Sequence, residues 1–174
     1  MIEIRKYIGS DAEELSVLIR DDLKYVNYED PAWENEWLYA RYTPAGIAEI
    51  AGEGHTYVVT DTDTGELLGT GTIKRDGNTF DRTTNLPTGK QAEIMACFIK
   101  RGHLRMHLGT LLFDALEADE IFTESQRVWL TTSVYARKFY ENRNYIYSCG
   151  YLGKNADNLI EMEKRHSDGI AGGV

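Results

Sequence analysis

The sequence predicts a single α/β domain. Strand-period and helix-period apolar runs alternate along the chain, too often for a helical bundle or a β-sandwich. No linker, internal repeat or low-complexity tract divides it. Its 174 residues, 42% of them hydrophobic, are enough for one full core. Residues 1–164 are assigned to that domain and residues 165–174, with Gly169, Gly172 and Gly173, to a flexible C-terminal tail.

The elements follow in order. Ile2-Glu3-Ile4-Arg5 alternates as a first strand. Ser10-Asp11-Ala12-Glu13 has the form of a capping box, with Ser10 as N-cap and Glu13 reaching back. The helix it opens carries Leu15, Leu18, Ile19, Leu23 and Val26 on one face. Thr43-Pro44 marks a second start, a cap followed by proline at the first helical position. Ile47, Ile50 and Ala51 form its apolar face, and Gly52 or Gly54 ends it. His55–Thr60 and Leu67–Lys74 are strands joined by the turn Asp61–Glu66. The Asp61-x-Asp63-x-Gly65 run is one residue too short for a calcium loop. Gly69 and Gly71, inside a strand, predict a bulge or a close backbone approach. Asp76–Lys90 is polar loop. Gln91–Ile99 reads as a central strand, with Ala92–Ile99 apolar on both faces apart from Glu93. After a basic segment, Leu108, Leu111, Leu112, Ala115 and Leu116 form a helical stripe. Arg127–Thr132 is the next strand, Ala136, Phe139 and Tyr140 share a helical face, and strands follow at Tyr145–Leu152 and Leu159–Met162. Asn144 stands where that last helix must stop, and asparagine tolerates the left-handed conformation of a C-cap.

Composition bounds the function. A net charge of −9, from 19 basic and 28 acidic residues, argues against nucleic-acid binding, which draws most of its affinity from a basic face. It is compatible with cationic substrates. Cys97 and Cys149 lie in apolar runs without metal-ligand spacing and are expected as reduced core residues. No apolar leader opens the chain, and no run approaches the ~20 residues of a membrane span. A cytoplasmic enzyme is the simplest expectation, and a homodimer is left open.

The stretch Gln91–Leu116 organises the rest. A strand feeding a helix N-terminus exposes backbone N–H groups without helical partners, and with the helix dipole they form an anion site. Gly109 permits close approach, Thr110 offers a hydroxyl, and Lys100, Arg101 and Arg105 add positive charge with no acid among them. The local expectation is a phosphate-bearing ligand. Neither GxxxxGK[ST] nor GxGxxG is present, so a P-loop and a dinucleotide fingerprint are unsupported. His103 and His107 are spaced i, i+4, but no third ligand accompanies them and no metal is expected.

With Ile99 at the strand end and Leu104-Arg105-Met106-His107-Leu108-Gly109 entering the helix, the stretch resembles the central motif of the GNAT superfamily of acetyl-CoA-dependent N-acetyltransferases. Leu104 stands for the usual Gln or Arg, and His107 for a glycine. The run Ser133-Val134-Tyr135-Ala136-Arg137-Lys138-Phe139-Tyr140-Glu141-Asn142-Arg143-Asn144-Tyr145 resembles the family's second motif. Ala136, Tyr140 and Glu141 match it directly, while Ser133, Asn144 and Tyr145 replace Asn, Gly and Phe.

The resemblance implies a central, twisted, mixed but mostly antiparallel sheet of six or seven strands flanked by about four helices. It implies acetyl-CoA as co-substrate and a small-molecule or peptide amine as acceptor. Backbone groups of Cys97, Phe98 and Ile99 would pair with the pantetheine arm. The N–H groups of Arg105, Met106, His107, Leu108, Gly109 and Thr110 would hold the diphosphate, with Ser133 touching the arm. Ala92-Glu93-Ile94 resembles the strand of the histone acetyltransferase branch whose glutamate is the base, so Glu93 is the expected general base. Tyr140 is the expected general acid for the departing thiolate. The resemblance places the aromatic and acidic stretch Tyr25–Tyr42 beside the acceptor. Two other readings remain open. One, motivated by Leu104 and His107, is a catalytically weak GNAT-like domain that senses CoA species. The other is a binding domain unrelated to CoA.

Overall fold

The computed structural model describes residues 1–29, 36–78, 80, 89–148 and 159–166. Seven strands form one sheet in the order β1-β2-β3-β4-β5-β7-β6. They are β1 (Ile2–Lys6), β2 (His55–Asp61), β3 (Leu67–Asp76), β4 (Gln91–Ile99), β5 (Arg127–Thr132), β6 (Ile146–Tyr147) and β7 (Ile160–Arg165). β4 and β5 are parallel, while β1 with β2, β2 with β3, β5 with β7 and β6 with β7 are antiparallel. The helices are α1 (Ala12–Glu29), α2 (Glu36–Arg41), α3 (Pro44–Glu53), α4 (Leu108–Ala118), α5 (Glu120–Thr123) and α6 (Arg137–Glu141). The mixed sheet agrees with the expectation. The helices among the described residues outnumber the four expected, because α2 and α5 are too short to show a helical period. No helix among the described residues is long and apolar enough to cross a membrane.

The chain separates into two compact units, Met1–Lys74 with Met95–Asp119, and Arg75–Ile94 with Glu120–Val174. Each is discontinuous, which is why no linker is visible in the sequence. In the first unit, Leu15, Ile19 and Leu23 of α1 are buried with Ile47 and Ile50 of α3 and Val58 of β2. The start of α1 differs from the expected box. A 3₁₀ turn, Gly9–Asp11, precedes it. The residue that reaches back is Asp11, whose Oδ2 accepts from the Ile8 N–H at 2.9 Å, rather than Glu13. Arg5 holds the same carboxylate through two 2.8 Å hydrogen bonds. Burial pulls the Asp11 carboxyl upward, but the bonds from Arg5 and Ile8 outweigh it and leave it below its ordinary value. The start of α3 is as expected, with Thr43 Oγ1 accepting from Gly46 N–H at 3.2 Å and Pro44 opening the helix, which Gly54 follows.

α4 buries Leu108, Leu112, Phe113 and Leu116, each contributing about 1.5–3 kcal/mol. Leu111, placed in the stripe by its spacing, is instead exposed, and Phe113 takes the inward position. Asp119, which caps α4, accepts from Lys6 Nζ at 3.1 Å and Tyr57 Oη at 2.7 Å and pairs with His55 Nδ1 at 2.8 Å.

In the second unit, the ladder between β4 and β5 runs from Gln91↔Arg127 to Ile94↔Leu130. Alternation then gives two unlike faces. Ala92, Ile94, Val128, Leu130, Ile160 and Met162 are buried on one. Gln91, Glu93, Arg127, Trp129, Thr131, Glu161, Glu163 and Arg165 alternate onto the other. Glu93, the one acid expected in β4, thus lies on a polar face to which β5 and β7 contribute most of the charged residues. Arg127, 5% exposed, donates to Glu163 Oε2, Gln91 Oε1, Ser148 Oγ and Glu161 Oε1. The helix stop at Asn144 is as expected. Asn144 has φ +66°, its N–H donates to Glu141 O at 3.0 Å, and the Tyr145 N–H donates to Tyr140 O at 3.1 Å, completing a Schellman motif. Of Tyr145–Leu152, Ile146 and Tyr147 are strand, and residues 149–152, including Cys149, lie outside the described residues. β7 runs on to Arg165, and the His166 N–H donates to Gln126 O at 2.9 Å. Residues 167–174 lie outside the described residues.

Candidate active site

The candidate anion site belongs to the first unit. β4 ends at Ile99, and a 3₁₀ turn, Arg101–His103, leads to an irregular passage into α4. Arg105 and His107 adopt φ +65° and +61°. His107 is the N-cap of α4 in the left-handed conformation, and its side chain makes no capping bond. Leu111 N–H is bonded back to His107 O at 3.1 Å. The N–H groups of Leu108, Gly109 and Thr110 therefore lie in the first turn, where a helix has no acceptors of its own. Those of Arg105, Met106 and His107 donate to no described backbone carbonyl. Six successive donors thus cluster at the positive end of an 11-residue helix. Leu104, Arg105, Met106 and His107 are exposed. Lys100, read from sequence as counter-charge, forms a close ion pair with Glu66 of the hairpin turn. His103 and His107 do not share a helix: His103 closes the 3₁₀ turn and His107 caps α4. No metal-binding group of three or more His, Cys, Asp or Glu occurs among the described residues.

The preceding strand is shaped for a close neighbour. Ala96 sits at φ +53° within β4, beyond the last pair of the parallel ladder. Cys97, Phe98 and Ile99 are half-buried. The glycines of β3 lie against them as their position in a strand suggested. A Cβ on Gly69 would stand 2.8 Å from Phe98 O, and one on Gly71 would stand 3.1 Å from Cys97 Sγ. Phe98 packs edge-on against Tyr42, with centroids 5.4 Å apart. Burial pushes the Cys97 thiol up to about 12, which favours the protonated thiol over the thiolate at neutral pH.

The acid–base candidates belong to the second unit. Glu93 is half-buried on the polar face of β4 and registers with Trp129 of β5. The Trp129 indole N–H donates to Asp76 Oδ2 at 3.0 Å. Asp76 Oδ1 in turn accepts from the backbone N–H and side-chain amide of Asn78, at 3.0 and 2.9 Å. Tyr140 lies on α6, 7% exposed, edge-on to Phe139 at 5.2 Å and to Tyr145 at 5.9 Å. Ser133 is half-buried ahead of α6, and its carbonyl accepts from Ala136 N–H at 3.3 Å. Sequence reasoning missed Trp129, Asp76 and Arg127, since their partners are cross-strand or far along the chain. A tryptophan at an alternating position beside a charged strand was the available signal. The region expected beside the acceptor, Tyr25–Tyr42, falls partly outside the described residues. An open cleft of about 460 Å³, lined by Arg41, Thr43, Gly46, Glu49 and Glu53 among others, holds neither the helix-entry donors nor the acid–base candidates.

A strand with a left-handed kink and a donor-rich helix entry in a mixed seven-stranded sheet leave a candidate anion site at the start of α4. A sequence model of the Acetyltransferase (GNAT) family matches residues 17–145, and the chain belongs to that family. Its fold is similar to a GNAT-family acetyltransferase from Staphylococcus aureus Mu50, at a TM-score of 0.70 and 17% identity, covering 95% of this chain and 99% of that one. It is equally similar to the PaiA N-acetyltransferase from Thermoplasma acidophilum in complex with coenzyme A, with TM-score 0.70, 17% identity and coverage of 95% and 99%. Ard1 from Thermoplasma volcanium follows, with TM-score 0.68, 17% identity and coverage of 96% and 99%. A search of curated proteins returns no significant match.

Proposed function

We propose that the protein transfers an acetyl group from acetyl-CoA to a primary amine by direct attack. The observation that carries this is the row of backbone donors from Arg105 to Thr110 at the start of α4. It suits a diphosphate, because backbone N–H groups and the helix dipole bind anions without needing particular side chains. Leu104 and His107 therefore do not disable it. Cys97–Ile99 offer the extended backbone for a pantetheine arm. Glu93, four residues earlier on the same strand, removes a proton from the ammonium. The nitrogen lone pair then attacks the thioester carbon, and the C–S bond breaks. The second proton leaves the nitrogen as Tyr140 supplies one to the thiolate. The balance is ammonium plus thioester giving amide, thiol and one released proton.

The test is calorimetric titration with acetyl-CoA, followed by thiol release against a panel of amines. Binding together with thiol release supports the reading. Gly109→Glu should abolish acetyl-CoA binding by bulk and charge. Glu93→Gln should lower kcat without loss of acetyl-CoA affinity. Absence of acetyl-CoA binding by the wild-type protein would overturn the reading, and binding without release on any amine would favour a sensor.

A further inference from the structure

We propose that Trp129 is the specificity-determining residue of the acceptor site and that its indole receives the protonated amine beside Glu93. The inference rests on the transferase reading above and names the substrate class, amines that are cationic when they bind. Cα partners in a parallel ladder project to the same face of the sheet, about 4.8 Å apart. Glu93 and Trp129 are such a pair. The flanking residues of both strands, Ala92, Ile94, Val128 and Leu130, are buried on the opposite face at 0–2% exposure, so the register is fixed. Both Glu93 and Trp129 are half-buried.

The ring is held, not merely packed. Its N–H is bonded to Asp76 Oδ2 at 3.0 Å, and Asp76 is itself fixed by two bonds from Asn78. A carboxylate at the indole N–H makes the ring more electron-rich, which strengthens its attraction for a cation. The same face carries Glu161, with 44% of its side chain exposed, and Arg165, with 47% exposed and its guanidinium paired with Glu163; Arg127 has 7% of its side chain exposed and is committed to Glu163 and Glu161.

The arrangement fits the reaction in both directions. An ammonium ion is attracted to the indole and to the carboxylates. Once Glu93 has taken its proton, the amine is neutral and its lone pair is free to attack. The amide product carries no charge, so the ring no longer favours it and product leaves. An acceptor that is already neutral gains nothing from Trp129.

The experiment uses the full chain saturated with CoA. The Trp129 indole N–H resonance is assigned by its loss in Trp129→Phe and titrated with n-butylammonium chloride and with n-butanol, which match in length and differ in charge. The cation should shift that resonance saturably and the alcohol should not. Equal shifts, or none with the cation, would overturn the proposal. In turnover with the best amine of the panel, Trp129→Leu should raise KM by about 3- to 30-fold. kcat should stay within about twofold and CoA affinity should be unchanged, with Trp129→Phe recovering most of the loss. An unchanged KM in Trp129→Leu would overturn the proposal while leaving the transferase reading intact. Failure of the wild-type chain to bind CoA would overturn that reading first.

Discussion

His107 occupies a backbone conformation that suits glycine, and replacing it tests how the turn into α4 is held. Its φ is +61° and ψ +7°. An L-residue in the left-handed well costs about 1–2 kcal/mol relative to the right-handed one. Glycine removes that cost but loses more freedom on folding, about 0.5–1 kcal/mol. The imidazole makes no capping bond, so its removal forfeits none. His107→Gly should therefore stabilise the protein by about 0.5–1 kcal/mol, or about 1–4 °C in Tm for a chain of this length. His107→Ala is the control, because it deletes the same imidazole and keeps the strain. The glycine variant should exceed the alanine variant by at least about 0.5 kcal/mol in urea titrations at neutral pH. Coincident midpoints for the two variants would show that this turn carries no left-handed strain, and the account of α4's entry would fail with it.

Three further predictions follow from the structure. Because Asp11 is held below its ordinary value of 3.8, its contribution is complete above that value and is lost as pH falls through the lower folded value. The difference in urea midpoint between wild type and Asp11→Asn should accordingly be present at pH 6 and shrink toward pH 2. Gly69→Ala should cost more than Gly71→Ala. The first Cβ meets the Phe98 carbonyl at 2.8 Å, while the second meets the movable Leu116 Cδ1 at 3.0 Å and Cys97 Sγ at 3.1 Å. About 1–3 kcal/mol is the scale for such overpacking, and chemical denaturation ranks the two. Cys97, its thiol pushed up to about 12 by burial, should resist iodoacetamide at pH 8 in the native protein and react fully in urea, as mass spectrometry would show.

The parts of the fold that were legible in the sequence are those set by neighbours along the chain. Thr43-Pro44 specifies a helix start through one hydroxyl and one fixed φ, and Asn144 a helix stop through its tolerance of positive φ. Gln91–Ile99 and Arg127–Thr132 were bounded by their apolar runs. The illegible parts depend on which strand lies beside which. Asp11 displaced Glu13 at the α1 cap because Arg5 of the adjacent strand also claims it. Lys100 was not free because the hairpin turn presents Glu66 to it. Arg127 looked like an ordinary strand residue until β7 and Gln91 supplied its partners.

Glu93 shows why this distinction reaches the chemistry. Read along the chain, it is a lone acid in an apolar strand, and burial alone would argue for a base. Read across the sheet, it alternates with Ala92 and Ile94 onto a polar face and sits beside an indole that is itself held by a carboxylate. The case for Glu93 therefore shifts from desolvation to company. A carboxylate next to an aromatic face can accept a proton from a cation that the face has already drawn in, whereas a carboxylate buried among aliphatic side chains would first have to admit that cation to a place with nothing to hold it.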